Sequence, residues 1–387
     1  MFKHCFFSII AIMTFSRIHI LRYIKGELKY IYLFLSICIY TVSTAQIPQS
    51  IQQTYNALDS LVTDAIQKDV GILPAPTFNP SFGTGIAIVP VVIYKLPGLS
   101  EETHPSTIQG LIMVNLRGSL ITGIKSTNYL NKNKFWFDGY VGYMNVHLDP
   151  ENSQYSKLHF RGFSSSFSGL YSIVPDFYFG PIVNANYLSE FGSESDESEK
   201  VNYNWYVTPG LKVSFDTRDD IYFPTKAWFL EGTVQGLVEL DDNIEAYQKI
   251  TIGLTNYFPI NTPKPIIFAN RIYSQIGFGE MPLHEKASPG GSAILRGYVS
   301  GRYMDNSIVT YQSEMRWMFS KRWGVVAFGG VGLLFDQVWH INNANFLPSI
   351  GTGVRFKMFK KLKINAALDL AMGRENSNVY FRLSEAF

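Results

Sequence analysis

Only two cysteines occur in the 387 residues, Cys5 and Cys38, and both precede the expected cut of a secretion signal. The chain beyond residue 45 therefore has no thiol chemistry and forms no disulfide. Charge is sparse as well. Asp, Glu, Lys and Arg make up 17% of residues, and the formal net charge is +2. Lys and Arg are scattered, so no basic patch is available to hold a nucleic acid. Absent too, after residue 45, is any apolar run of about 18 residues that could cross a bilayer as a helix. The 7 histidines are dispersed, without an H-E-x-x-H or other ligand pair, so a metal site has no support. No G-x-S-x-G elbow is present, which excludes a patatin-like hydrolase passenger. "GTGIAI", "GGVGLL" and "GTGVRF" lie in alternating segments with no helix following, so they are not phosphate loops. The chain reads as a non-enzyme with no catalytic residues and no cofactor.

Aromatic residues are what it has in quantity: 29 Phe and 23 Tyr, with a mean hydropathy near zero. Aromatic richness with short alternating segments is the weak signature of a transmembrane barrel, shared in part by soluble sandwiches. The N-terminus sharpens it. "YIYLFLSICIYTV" (30–42) follows Lys25 and Lys29 and precedes Ser43-Thr44-Ala45, which predicts a signal over 1–45 and a mature start at Gln46. Ile37 argues against a lipoprotein cut at Cys38, and the residues ahead of Lys25 point to a later start codon. Residues 46–79 are expected to form a short periplasmic segment. Apolar positions 51, 55, 58, 62 and 66 predict one amphipathic helix there, and Pro74, Pro76 and Pro80 a linker.

The expected fold is all-β, a transmembrane antiparallel β-barrel of sixteen strands over residues 80–387. Segment 203–216 shows why. Tyr203, Trp205, Val207, Pro209, Leu211, Val213 and Phe215 fall on one face, with Asn204, Thr208, Gly210, Lys212, Ser214 and Asp216 on the other. Residues 226–240 and 362–373 alternate likewise. Such segments exceed the usual strand of about 5–6 residues, which favours a barrel whose polar face lines a lumen. Five strands are predicted after the glycine-rich stretch 280–307, at 308–319, 324–335, 349–359, 362–373 and 378–387. Ten are visible before it, from 83–95 through 264–279. A secreted barrel starts and ends in the periplasm, with short turns there and longer loops outside. Then 192–200, 280–307 and 336–345 face outward and 320–323 inward. An outside loop needs an odd number of strands before it, so one strand is missing from the count, and 166–174 is the expected place.

"FDTRDDIYFPTKAWFLE" (215–231), "GGSAILRGY" (290–298), "VAFGGVGLLFD" (326–336) and "SIGTGVRF" (349–356) follow in an order that resembles the BamA/TamA superfamily, the bacterial surface antigen barrels. The resemblance spans roughly residues 80–387. It implies sixteen strands and a loop after the eleventh that folds back into the lumen, its Arg296-Gly297-Tyr298 tip bracing the inner wall. An arginine in a confined polar lumen needs a carboxylate. By strand parity Glu314 and Asp369 face inward and are the candidates. Relatives place an Asp where this chain has Gly330.

Asp216, Thr217, Arg218 and Asp219 read as a structural periplasmic turn, rigidified by Pro224. Phe387, closing the run Val379, Phe381, Leu383, resembles the C-terminal signal by which outer-membrane barrels are recruited for insertion. The resemblance implies residence in the bacterial outer membrane and insertion or translocation of proteins there. Its expected partners are outer-membrane lipid, the barrel-assembly machinery for its own insertion, and periplasmic chaperones or lipoproteins. Relatives deliver clients through periplasmic POTRA domains. The 46–79 segment falls below a domain's usual minimum of about 50 residues, so delivery is expected to need a separate partner. The alternative reading is a narrow transport pore or a docking scaffold for lipoproteins.

Overall fold

The structure, a computed structural model, describes residues 70–79, 83–95, 100, 103–148, 158–193, 201–237, 246–260, 266–359, 364–375, 377–383 and 385–387. The signal at 1–45, the helix over 48–68 and most of the acidic loop at 192–200 lie outside them. Among the described residues sixteen strands follow one another. They are β1 (Val70–Asn79), β2 (Gly83–Tyr94), β3 (Ser106–Asn115), β4 (Leu120–Leu130), β5 (Phe135–Leu148), β6 (Leu158–Val174), β7 (Phe177–Ser193) and β8 (Val201–Asp216). The second half comprises β9 (Ala227–Gly236), β10 (Tyr247–Ile260), β11 (Ile266–Gly279), β12 (Ser307–Trp317), β13 (Trp323–Phe335), β14 (Asn345–Phe359), β15 (Ile364–Met372) and β16 (Ser377–Leu383). Each pairs antiparallel with the next, and β1 meets β16 to close the ring.

The strand missing from the sequence count is β1, not 166–174. Residues 166–174 are the second half of β6, and the ring begins at Val70 rather than at residue 80. Prolines hid β1, and they also say which way it faces. The β1–β2 ladder runs unbroken from Val70 opposite Val92 to Asn79 opposite Gly83. In an antiparallel ladder alternate residues turn their N–H and C=O toward a given neighbour. Pro74 and Pro76 have no N–H, so an unbroken ladder requires their positions to turn toward β16 instead. On that side, among the described residues, a single register pair, Phe78 opposite Phe381, joins the strands. Pro90 acts similarly one strand on: the β2–β3 register passes from Ile88–Ile112 to Val91–Gln109 with a gap around it.

Outside and inside are inverted relative to a soluble protein. On β8 the outward Trp205 and Leu211 are 56% and 51% exposed, while the inward Tyr206, Thr208, Lys212 and Ser214 are buried. Apolar side chains face out on every strand from β2 to β16, which a barrel in lipid requires. Aromatic pairs mark both rims of this band. Tyr143–Phe163 and Tyr187–Trp205 stand toward the end bearing the long loops, and Phe258–Phe268 and Trp323–Phe356 toward the end bearing the short turns. No helix among the described residues is long and apolar enough to cross a membrane; the strands do so.

The stretch between β11 and β12 folds into the ring against the wall formed by β12–β16. Leu295 and Tyr298 from it share a buried cluster with Ile308, Leu334 and Leu347 of that wall. The last strand is shorter than the expected 378–387. It stops at Leu383, and Glu385 and Ala386 are buried, because Glu385 turns inward to an arginine described below.

Candidate functional site in the barrel lumen

The inserted segment reverses direction where its backbone is left-handed. Gly290, Gly291, Gly297 and Gly301 have φ of 121°, 70°, 98° and 86°, a region that side-chain-bearing residues enter at a cost. Gly297 is also pressed against the wall: an added Cβ would stand 2.8 Å from the Gly373 nitrogen and the Met372 carbonyl carbon. That contact puts the neighbouring Arg296 at the inner wall with no exposure.

Arg296 Nη1 donates to Glu314 Oε2 at 2.6 Å and to Asp369 Oδ2 at 2.9 Å. Its guanidinium carbon lies 3.4 Å from the centroid of the Phe328 ring. Both carboxylates are fully buried. A lone charge there would be severely desolvated, so stability comes from the whole cluster. Arg316 Nε donates to Glu314 Oε1 at 2.7 Å, and Arg382 Nη2 to Asp369 Oδ2 at 2.7 Å. Arg355 donates to Asp369 and, through Nε, to Glu385 Oε2 at 2.7 Å. Backbone bonds complete the seat: the Arg296 N–H donates to Gln312 Oε1, and Ser349 Oγ donates to the Arg296 carbonyl.

Tyr298 follows the same logic. Its hydroxyl donates to the Pro348 carbonyl at 2.7 Å and accepts from the Arg374 N–H at 3.2 Å. The Tyr380 hydroxyl sits between the two ends of this step. It accepts from the Gly297 N–H at 3.0 Å and donates to the Tyr298 carbonyl at 3.1 Å. Where the resemblance leads one to expect an Asp, Gly330 leaves a recess. A Cβ there would be 3.1 Å from Leu295 Cδ1, and one at Gly332 3.0 Å from Leu295 Cδ2. The wall gives up a carboxylate at that point and gains a socket for the fully buried Leu295.

The turn motif is stitched by its own side chains. Arg218 grips Asp216 through two bonds, Nε–Oδ1 at 2.9 Å and Nη2–Oδ2 at 2.7 Å, and lies over the Phe229 ring. Thr217 Oγ1 donates to the Trp228 carbonyl and accepts its N–H. Asp219 accepts from the N–H groups of Thr225 and Lys226. Burial alone would raise the Asp219 carboxyl, but these bonds and the Thr225 hydroxyl outweigh it and hold the carboxyl below its usual range. None of this machinery reaches Arg296.

Phe381 lies on β16 opposite Leu368 and at the single seam pair. Phe387 is not on the lipid face of a strand. It turns into the lumen, packs against Ala227, Tyr257 and Ala269, and its main-chain oxygen accepts from Arg316 Nη2 at 2.7 Å. Sequence reasoning missed Arg316, Arg355, Arg382, Glu385 and Tyr380. Parity alone would have found Arg316, two residues from Glu314 on one face, and likewise Tyr380 and Arg382 on β16.

The same barrel fold is found in solved structures. BamA from Haemophilus ducreyi lacking POTRA domains 1–3 aligns with a TM-score of 0.59 at 12% identity, over 82% of this chain and 70% of that one. CdiB from Escherichia coli aligns with a TM-score of 0.58 at 11% identity, over 82% of this chain and 62% of that one. At such identities the likeness is one of fold. The sequence itself matches the Omp85 superfamily domain over residues 122–387, which runs from β4 through the lumen network to Phe387, and the chain belongs to the Omp85 superfamily.

Proposed function

We propose that this barrel inserts or translocates proteins at the outer membrane, using the edges of β1 and β16 as templates for incoming strands. The observation that supports this is the seam. Other neighbours pair along runs of residues, whereas among the described residues β1 and β16 share one register pair, and Pro74 and Pro76, which lack N–H donors, weaken the closed seam so that the edge of β16 can be exposed. A sheet edge with unsatisfied groups adds strands readily. Clients reach it through separate periplasmic partners, a chaperone or a lipoprotein.

The test is a reversible lock. Phe78→Cys with Phe381→Cys, oxidised in a chain whose Cys5 and Cys38 are Ser, should reduce assembly of an unfolded eight-stranded barrel in proteoliposomes at least tenfold. Reduction of the bond should restore it. Full assembly by the oxidised form would rule out the seam.

Phe387 retains its proposed role as an insertion signal, because such a signal is read before the chain folds and its final place in the lumen comes afterwards. Phe387→Ser should lower the amount reaching the outer membrane more than Phe356→Ser does. Equal amounts of the two variants would remove the assignment.

A further inference from the structure

Opposite the charged network, the inner wall of β5–β8 has a different chemistry. Between it and the far side of the inserted segment lies a cavity of about 440 Å³. Its barrel side is uncharged, with Ser164, Ser166, Asn184 and Asn186 set beside the apolar Met144 and Leu188, and the inserted segment adds Glu285 and Lys286. Ser164 Oγ donates to Asn186 Oδ1 at 2.7 Å, while Asn184 Oδ1 is buried and accepts no hydrogen bond among the described residues. A second cavity of about 490 Å³ lies at the short-turn end of the same strands, bordered by Tyr129, Trp136 and Tyr178.

The layer between them is packed: Trp136, Ser168, Leu170, Thr208 and Lys212 are each less than a tenth exposed. One charged side chain spans that layer. Lys212 on β8 reaches Asp138 on β5 at 3.4 Å and Glu231 on β9 at 3.0 Å, with its ammonium 5.4 Å from the centroid of the Trp136 ring. Two strands lie between β8 and β5. In register, Gly180 stands opposite Lys212 and Ser168 opposite Asp138, so a glycine and a serine leave room for the lysine to cross them. Asp138 is held for this contact by Thr127 Oγ1 at 2.8 Å and Trp136 Nε1 at 2.9 Å.

We infer that the β5–β8 half of the lumen is a path for small uncharged polyhydroxylated solutes, of sugar size or less, held shut by the Lys212–Asp138 span. The solute class follows from the wall. Serines and asparagines offer donors and acceptors, the apolar side chains beside them suit the C–H faces of a polyol, Glu285 is already paired with Lys249, and the cavity volume falls in the range of small-molecule sites, about 300–1,000 Å³. The closure follows from length and charge. Without the ammonium, the space over Gly180 and Ser168 is vacated beside the Trp136–Tyr178 pair, and Asp138, left without its cation, draws water into the layer. This path is independent of the β1–β16 seam.

The test uses the full chain in proteoliposomes, with Cys5 and Cys38 changed to Ser and arabinose as the permeant. Lys212→Ala should raise arabinose permeation at least tenfold over the parent, and Asp138→Ala, which removes the other end of the span, should do the same. Faster migration of the unboiled protein on a denaturing gel checks that each barrel is folded. Adding Ser166→Cys to Lys212→Ala and reacting it with a bulky maleimide should return permeation to the parent level. The inference fails if neither variant raises permeation, or if blocking residue 166 leaves the increase in place.

Discussion

Arg296→Ala is expected to lower the unfolding temperature of the barrel and to open residues 290–303 to protease, while the chain still assembles. Truncating one member of a buried ion pair costs on the order of 3–5 kcal/mol. Here Glu314 and Asp369 keep other arginines, Arg316 for the first and Arg355 and Arg382 for the second, so the cost should fall near the lower bound. Two comparisons make the result specific. Glu314→Gln should reproduce part of the defect, and the double variant should cost less than the sum of the singles, since one network is being broken twice. Arg302→Ala should cost only about 0–1 kcal/mol, because its partner Glu375 is 47% exposed and recovers its hydration. Arg296→Ala and Arg302→Ala behaving alike and leaving stability unchanged would mean that the inserted segment is an ordinary surface loop.

Gly297→Ala should be comparably severe, for a steric reason. The methyl would meet backbone atoms of Met372 and Gly373 at 2.8–2.9 Å, and no side-chain rotation relieves a backbone clash. Overpacking of this kind costs roughly 1–3 kcal/mol, and the left-handed backbone adds about 1–2 kcal/mol for a residue with a Cβ. Tyr298 should lose its seat against Pro348 and the unfolding temperature should drop. Gly118→Ala is the matched control. Its φ is 82°, yet nothing lies within 4 Å of its Cβ position, so only the backbone cost applies. If both variants unfold at the same temperature, the contact between Gly297 and β15 carries no weight.

The ring was legible because its chemistry repeats every two residues. Trp205 and Leu211 against Thr208 and Lys212 announce a lipid face and a lumen face before any contact is known. Parity then showed that a strand was missing and put Glu314 and Asp369 on the inner wall, where Arg296 meets them. It failed to locate the missing strand, because Pro74 and Pro76 read as a linker. Only the ladder to β2 shows that their missing N–H groups fall on the sparsely paired side. The cluster beyond those two acids was hidden for another reason. Arg316, Arg355, Arg382 and Glu385 come from separate strands and from the chain's last residues, and only the pairing and curvature of β12–β16 bring them together. Gly330 was read as a lost partner. Its use as a socket depends on Leu295, which no local pattern links to it.

The lumen network also divides the seam into two unlike sides. Through Arg382 and Asp369, β16 is tied to β15, from there through Arg355 to β14, and through Arg296 to Glu314 on β12. With β13 held between β12 and β14, its Phe328 against Arg296, five strands and the inserted segment thus form one braced panel. On the other side, β1 is paired along its length only with β2, and the β2–β3 ladder beyond is itself interrupted at Pro90. Any widening of the seam is therefore a swing of the β1–β2 hairpin away from a fixed post, and the compliance of the ring lies in its first hairpin.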